Sequence, residues 1–195
     1  MGKVQTLRAA NRVAMPWKNG GGVTHEVAIF PNGAGLNDFQ WRLSMAEVRE
    51  PGPFSAFAGI DRVLAVLEGR LRLSGESVGT VELTAATAPL AFPGDATIQG
   101  EPLDGPVLDL NAMTRRNEWR TEMIVLEPGE HAVAASRAIL VATAPIQCAA
   151  DGRSQPLERL DCLLLEDVER LQWSAGTAIL VRFLPIPLAL APAKP

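Results

Sequence analysis

The sequence predicts an all-β protein that consists of two small β-barrels in tandem. Short apolar runs, several alternating with polar residues, are separated by 17 glycines and 15 prolines spread over 195 residues. No amphipathic helix of normal length is evident. The second half repeats the first weakly, since residues 173–180 resemble 92–98 and residues 159–166 resemble 62–68. Short, regularly spaced strands of this kind are typical of a sandwich or barrel.

The first strong strand candidate, residues 23–30, alternates between two faces. Glu26 and Ala28 fall on one face, and Val27 and Ile29 fall on the other. The alternation predicts a strand.

The second strand candidate, residues 41–46, alternates more clearly. Trp41 and Leu43 share one face, whereas Arg42 and Ser44 share the opposite face. This pattern predicts a strand with one apolar face and one mainly polar face.

The remaining strand candidates are shorter. Residues 63–67 form a continuous apolar run that Gly69 is predicted to end, and alternation resumes after it. The further candidates are residues 70–73, 80–83, 96–99 and 107–110. Residues 133–143 are rich in alanine and fit a helix or a strand about equally.

The repeat places a domain boundary near residues 116–122. We expect an N-terminal barrel over residues 1–118 and a C-terminal barrel over 119–195, with a Pro- and Ala-rich tail that frays.

Composition excludes several functional classes. The net charge is −4 and no cluster of Lys and Arg occurs, which argues against nucleic-acid binding. No apolar run approaches the ~20 residues of a membrane helix, and the N-terminus lacks a signal core. Two cysteines, Cys148 and Cys162, make no disulfide framework. We therefore expect a cytoplasmic protein with no membrane partner.

Metal and nucleophile chemistry are also poorly supported. His25 and His131 are the two histidines, and they are far apart, whereas a transition-metal site usually needs about three protein ligands. No Ser motif of hydrolases occurs, and the glycine run at 20–22 matches no phosphate-binding loop. We therefore expect no metal and no cofactor.

The three consecutive glycines at 20–22 are the most unusual feature of the chain. Glycine is kept where φ is positive or where backbone approaches another group closely. An aromatic, a cation and an amide precede the glycines: Trp17, Lys18 and Asn19. We interpret this segment as one wall of a binding pocket.

A mixed polar set in the first 116 residues supplies the remainder of a predicted small-molecule site. The candidate site residues are Trp17, Lys18, Asn19, Thr24, Glu26, Arg42, Ser44, Phe54, Ser55, Asp61, Arg62, Asp95, Asn111 and Arg115.

The roles follow from side-chain chemistry. Arginine matches a carboxylate with two parallel hydrogen bonds, so Lys18 and the arginines are expected to anchor one. Asn19, Thr24, Ser55 and Asn111 are expected to add directional hydrogen bonds. The acids Glu26, Asp61 and Asp95 are expected to meet a donor group or orient the arginines. Trp17 and Phe54 are expected to form the apolar wall.

A plainer interpretation stays open for several of these residues. Glu26 and Arg42 are also explained by a cross-strand ion pair, Asp61 and Arg62 by a solvated turn, and Asp95 by its place after Pro-Gly.

Residues 16–26 resemble the signature of the HutD/Ves family, and further blocks occur in the order of that family. These blocks lie at residues 41–46, 52–55, 59–62, 92–95 and 109–116. The resemblance covers about residues 15–116 and departs from the family pattern at Ala58.

The resemblance implies a bicupin, two cupin-type (jelly-roll) β-barrels fused in one chain. Cupins usually bind metal through a histidine motif that this chain lacks. The resemblance also implies a regulatory or metabolic role in bacterial histidine utilisation, with urocanate and N-formylglutamate as candidate ligands. Both are carboxylates.

Three functional hypotheses follow. The first is metal-independent binding of a small carboxylate. The second is a hydrolase or isomerase that uses acid–base chemistry of Glu26, Asp61 and Asp95. The third is a homodimer that covers an exposed sheet edge and needs no small ligand.

Overall fold

The computed structural model describes residues 2–17 and 20–187, and within these ranges the protein is almost entirely β. One 3-10 turn, Ala9–Asn11, is the single helical element among them. No helix in the described ranges is long and apolar enough to cross a membrane. In chain order the strands are β1 (Lys3–Leu7), β2 (Ala14–Pro16), β3 (Gly22–Phe30), β4 (Trp41–Val48), β5 (Gly52–Pro53), β6 (Ile60–Gly75), β7 (Gly79–Thr84), β8 (Leu90–Pro93), β9 (Gln99–Arg115), β10 (Trp119–Leu126), β11 (Gly129–Ala132), β12 (Arg137–Ala142), β13 (Ile146–Ala150), β14 (Arg153–Leu157), β15 (Cys162–Glu166), β16 (Arg170–Trp173) and β17 (Ala178–Pro185). The predicted all-β class is confirmed.

The largest sheet is formed by the first half of the chain. Its hydrogen-bonded order is β2-β3-β4-β9-β6-β7, while β5 pairs with β9 and β8 pairs with β6. All of these pairs are antiparallel.

The predicted end of a strand at Gly69 is wrong, because β6 continues through this residue. Gly69 has a φ of 80°, and the register against β9 shifts on both sides of Glu68. A Cβ at Gly69 would lie 2.8 Å from the carbonyl oxygen of Pro106. The glycine therefore makes a bulge where β9 approaches closely, and the strand bends instead of ending. The strand expected at 96–99 is absent except for Gln99, where β9 begins.

The second half forms a five-stranded sheet, β1-β15-β12-β17-β10, and a four-stranded sheet, β11-β16-β13-β14. The alanine-rich segment is a strand, β12. The first strand of the chain belongs to the five-stranded sheet, since Lys3 pairs with Glu166 and Leu7 with Cys162. In each of the three sheets the order of hydrogen-bonded strands is linear and has two edge strands. The closure into two barrels and the division at residue 118 therefore stay predictions.

The faces of β4 have the roles that the alternation predicts. Trp41 is 2% exposed and stacks on Phe183 of β17, with 4.1 Å between ring centroids and 13° between ring planes. Leu43 joins the same core, which lies between the large sheet and the five-stranded sheet and includes Ile139 and Val181. The opposite face of β4 is thereby left for the polar residues.

The two cysteines are both buried and unbonded. Burial raises the pKa of Cys148 to about 11 and the pKa of Cys162 to about 12. Because the thiolate is the reactive form, neither thiol is activated as a nucleophile.

Candidate functional site

A cavity of about 640 Å³ lies on the polar face of the large sheet. Nine of the predicted site residues line it: Trp17, Thr24, Glu26, Arg42, Ser44, Phe54, Ser55, Arg62 and Asn111. Its volume falls in the range of small-molecule pockets.

Strand register explains why residues far apart in sequence meet here. Glu26 of β3 pairs with Ser44 of β4, and Ser44 pairs with Asn111 of β9. Directly paired residues of antiparallel strands project from the same face of the sheet. One row of polar side chains therefore crosses three strands at the cavity.

A β-bulge in β3 changes which residues face the cavity. The register shifts between Glu26 and Ala28, so that Ala28 pairs with Leu43 and Ile29 pairs with Arg42. Ile29 lines the cavity together with Glu26, whereas Ala28 packs against the core. The predicted alternation is therefore correct up to Glu26 and wrong after it, because the bulge inserts one extra residue.

Arg42 and Glu26 form an ion pair on the cavity wall. The Nε of Arg42 donates to Oε2 of Glu26 at 2.9 Å, and the Arg42 side chain is 7% exposed. Its Nη1 donates to Oγ of Ser44 over a long 3.5 Å. The cross-strand pair that the sequence suggested exists, and both its members line the cavity.

Arg62 is a second buried cation in the cavity and has weaker partners. It is 6% exposed. Its Nε donates to Oδ1 of Asn111 and its Nη1 to the carbonyl oxygen of Ser55, both at 3.4 Å. Its Cζ lies 5.1 Å from the ring centroids of Phe54 and Phe92, a cation–π arrangement.

The electrostatics of Arg62 reflect its burial. Desolvation lowers the pKa of Arg62 to about 10, a shift that Asp109 opposes and the charge of Arg42 reinforces. Among the described residues, no carboxylate oxygen lies within 4 Å of its guanidinium. The cavity thus contains a buried cation that lacks an ion-pair partner in this part of the chain.

Asp109 is the one charged residue of the described cavity lining that is absent from the predicted site residues. It is 1% exposed and lines the cavity, and its Oδ1 has no hydrogen-bond partner among the described residues. Burial raises the pKa of Asp109 to about 7, and the nearby charge of Arg62 opposes that rise. Its spacing of two residues from Asn111 was the available signal, since residues i and i+2 of a strand share a face.

Asp61 and Asp95 lie outside the cavity, contrary to expectation. Asp61 precedes Arg62 in β6, and neighbouring strand residues project from opposite faces. Arg116 holds both carboxylates: its Nε donates to Oδ1 of Asp61 at 2.7 Å, and its Nη1 donates to Oδ2 of Asp95 at 3.0 Å. The hydrogen bond from Arg116 lowers the pKa of Asp95.

Arg115 also lies outside the cavity, but it supports one wall. Its Nη2 donates to the carbonyl oxygens of Asn37 and Phe39 at 3.2 and 3.0 Å. These carbonyls belong to the connection between β3 and β4, from which Leu36 lines the cavity. Arg115 therefore positions the wall instead of contacting the contents of the cavity.

The glycine segment has the expected backbone features where it is described, and Trp17, but none of the three glycines, is among the residues that line the cavity. Gly20 has a φ of 75°, and a Cβ at Gly22 would lie 2.5 Å from the carbonyl oxygen of Glu47. Trp17 donates from Nε1 to Oγ1 of Thr24 at 2.8 Å. Lys18 and Asn19 lie outside the described residues.

The donor set of the cavity does not suit a divalent metal. In the ranges that the structure describes, no three His, Cys, Asp or Glu side chains lie together. The lining has two guanidiniums, which repel cations, and no histidine among its described residues. His131 instead contacts the carbonyl oxygen of Glu127 at 2.8 Å and the ring of Trp173.

Comparisons with known proteins agree with this fold. The sequence profile of the HutD family matches residues 9–181. An uncharacterized 21.2 kDa protein in the hutC 3' region of Pseudomonas putida is 34% identical over 175 residues, which cover 88% of this chain and 91% of that protein. Protein Ves of Citrobacter koseri is 36% identical over 113 residues, 57% of this chain and 58% of that protein.

Solved structures give the same result. HutD from Pseudomonas fluorescens SBW25 is 28% identical with a TM-score of 0.81, over 94% of this chain and 99% of that one. A cupin 2 conserved barrel domain protein from Leptotrichia buccalis is 10% identical with a TM-score of 0.58, over 88% and 92%, which shows a cupin-like fold. The chain is therefore a member of the HutD family.

Proposed function

We propose that the protein is a hut-associated bicupin that binds a small carboxylate in the cavity of its large sheet, without a metal ion. The observation that carries the proposal is the buried guanidinium of Arg62, which has only two hydrogen bonds of 3.4 Å and no carboxylate within 4 Å among the described residues.

A carboxylate ligand satisfies both arginines. Burial of a charge is costly unless the charge is paired and hydrogen-bonded. Glu26 occupies Nε of Arg42, and the terminal nitrogens of Arg42 have one long bond to Ser44 within the described chain. A carboxylate between Arg42 and Arg62 would supply short, charge-assisted hydrogen bonds and relieve the repulsion between the two cations.

The ligand class comes from the family. The relative in the hutC 3' region agrees with a role in histidine utilisation, where urocanate and N-formylglutamate are the candidate ligands. Each is a carboxylate of a size that a cavity of about 640 Å³ accommodates. We propose a regulatory or metabolic role for this binding.

The other two hypotheses have less support. The acid–base set of Glu26, Asp61 and Asp95 is not assembled, because Arg116 holds the two aspartates outside the cavity. A homodimer that covers a sheet edge stays a prediction.

Calorimetric titration with urocanate and N-formylglutamate tests the proposal. We expect one of them to bind the native protein, and we expect Arg62→Met to weaken that binding about tenfold to a hundredfold, as befits a hydrogen-bonded charge pair. Arg170→Met, which removes an exposed arginine paired with Glu130, is the matched control and is expected to bind normally. Unchanged affinity in Arg62→Met with an intact fold, or no binding of either carboxylate, would contradict the proposal.

A further inference from the structure

Asp109 carries an unsatisfied buried oxygen beside the proposed carboxylate site. It is 1% exposed, and its Oδ1 has no hydrogen-bond partner within the described chain. Buried polar groups are almost always hydrogen-bonded, so an exception at a cavity wall calls for a partner from outside the protein.

The neighbouring strands do not provide that partner. The residues that pair with Asp109 in the sheet are Ala46 of β4 and Val66 of β6, and neither side chain has a donor. Arg62 attracts the carboxylate electrostatically, but its two hydrogen bonds go to Asn111 and Ser55 and not to Asp109. The free acceptor therefore adjoins the space that a ligand occupies.

We propose that Asp109 accepts a hydrogen bond from an N–H group of the ligand, so that the site selects carboxylates that carry such a donor. This inference rests on the proposed function, because it assumes that Arg42 and Arg62 hold the carboxylate of the same ligand. It assigns Asp109 as a specificity-determining residue.

The charge balance of the cavity favours this arrangement. The charged groups of the described lining are Arg42, Arg62, Glu26 and Asp109, and Glu26 is already paired with Arg42. A ligand carboxylate between the arginines would be repelled by an ionised Asp109 nearby. An N–H group on the ligand offsets that repulsion, whereas a plain carboxylate such as acetate has no hydrogen-bond donor for Asp109.

The proton linkage has a definite sign. An N–H donor stabilises the ionised carboxylate, so the preference for an N–H ligand over its matched oxygen counterpart rises with pH until Asp109 is fully ionised. The arginines stay charged throughout this range. The opposite arrangement, in which protonated Asp109 donates to the ligand carboxylate, would give no preference for the N–H member and would make the affinity for both members fall with rising pH.

Two matched pairs of probes isolate the N–H group. The first pair is N-acetylglycine and acetoxyacetate, and the second is 3-(1H-pyrrol-2-yl)propanoate and 3-(furan-2-yl)propanoate. Each pair replaces an N–H by an oxygen with little change of shape. At about pH 8.5 we expect the native protein to bind the N–H member of at least one pair about tenfold to a hundredfold more tightly.

Variants assign the preference to Asp109. We expect Asp109→Ala to reduce the preference to less than about twofold, while Glu130→Gln, an exposed acid in β11, keeps it. If Asp109→Ala does not fold, the pH profile of the native protein decides, because it needs no variant.

The outcomes separate this inference from the proposed function. Equal affinities within both pairs, or a preference for the N–H probes that falls with rising pH, would overturn the role of Asp109 while leaving carboxylate binding through Arg62 intact. If none of the four probes binds, and Arg62→Met does not change the affinity for urocanate or N-formylglutamate, both the role of Asp109 and the proposed carboxylate binding are overturned.

Discussion

Replacement of Asp109 by asparagine is expected to change how the stability of the protein depends on pH. Asparagine has nearly the same shape as the protonated carboxyl group, but it cannot ionise. Asp109 is fully buried, and burial raises its pKa from 3.8 to about 7. The comparison therefore isolates the free energy of ionising one buried group.

The sign and size follow from proton linkage. Between pH 3.8 and about pH 7 the folded chain holds the proton on Asp109 while the unfolded chain has released it. The folded state thus binds more protons, so the free energy of unfolding falls as the pH rises. One proton corresponds to about 1.4 kcal/mol per pH unit. Over about three units, the native protein should lose on the order of 4 kcal/mol relative to Asp109→Asn, and the difference should level off above about pH 7.

Urea unfolding measured by tryptophan fluorescence, at intervals from about pH 5 to about pH 8.5, gives the required free energies. This range covers about two of the three units, so the measured difference should change by about 3 kcal/mol. Other ionisable groups contribute to both proteins, so the difference between the two curves reports on Asp109. The matched control is Glu130→Gln, which should differ from the native protein by an amount that does not depend on pH. A flat difference for Asp109→Asn would mean that Asp109 ionises normally in the folded protein, and a difference that favours the native protein as the pH rises would mean that its pKa is lowered. Either result excludes a raised pKa for Asp109.

Three further predictions concern the walls and the core. Removal of the Arg115 side chain (Arg115→Ala) frees the carbonyl of Phe39, which should lower local stability of the β3–β4 connection by about 1–3 kcal/mol, measured by hydrogen exchange. Gly22→Ala places a Cβ 2.5 Å from the carbonyl oxygen of Glu47 and should cost about 1–3 kcal/mol in urea unfolding. Trp41→Ala empties the stack between the sheets and should cost about 3–5 kcal/mol in the same assay. Native-like hydrogen exchange in Arg115→Ala would contradict the first prediction. A native-like free energy of unfolding in Gly22→Ala or Trp41→Ala would contradict the second or the third.

The two faces of β4 could be predicted from the sequence, because which residues share a face depends only on local periodicity. In β4 the apolar residues Trp41 and Leu43 pack in the core, and the polar residues Arg42 and Ser44 line the cavity. A period of two residues is a property of any extended strand, so no knowledge of the neighbours is needed.

Features that depend on neighbouring strands could not be read in this way. The bulge after Glu26 moves Ile29 to the cavity face, and the bulge around Gly69 keeps β6 continuous. Both arise from register with a partner strand, which periodicity does not encode.

The positions of the charged residues also depend on tertiary contacts that the local sequence pattern does not give. Asp95 pairs with Arg116, 21 residues away, and this pairing takes it out of the site. The sequence places Asp109 on a strand beside Asn111, but only tertiary burial makes its carboxylate unusual.

Arg42 and Arg62 are proposed to hold the carboxylate of a small ligand in the cavity of the large sheet. A crystal structure of the complex with urocanate or N-formylglutamate would show this contact. We expect ligand carboxylate oxygens within about 2.7–3.2 Å of guanidinium nitrogens of Arg62. A carboxylate bound elsewhere, with Arg62 keeping only its long contacts to Asn111 and Ser55, would contradict it.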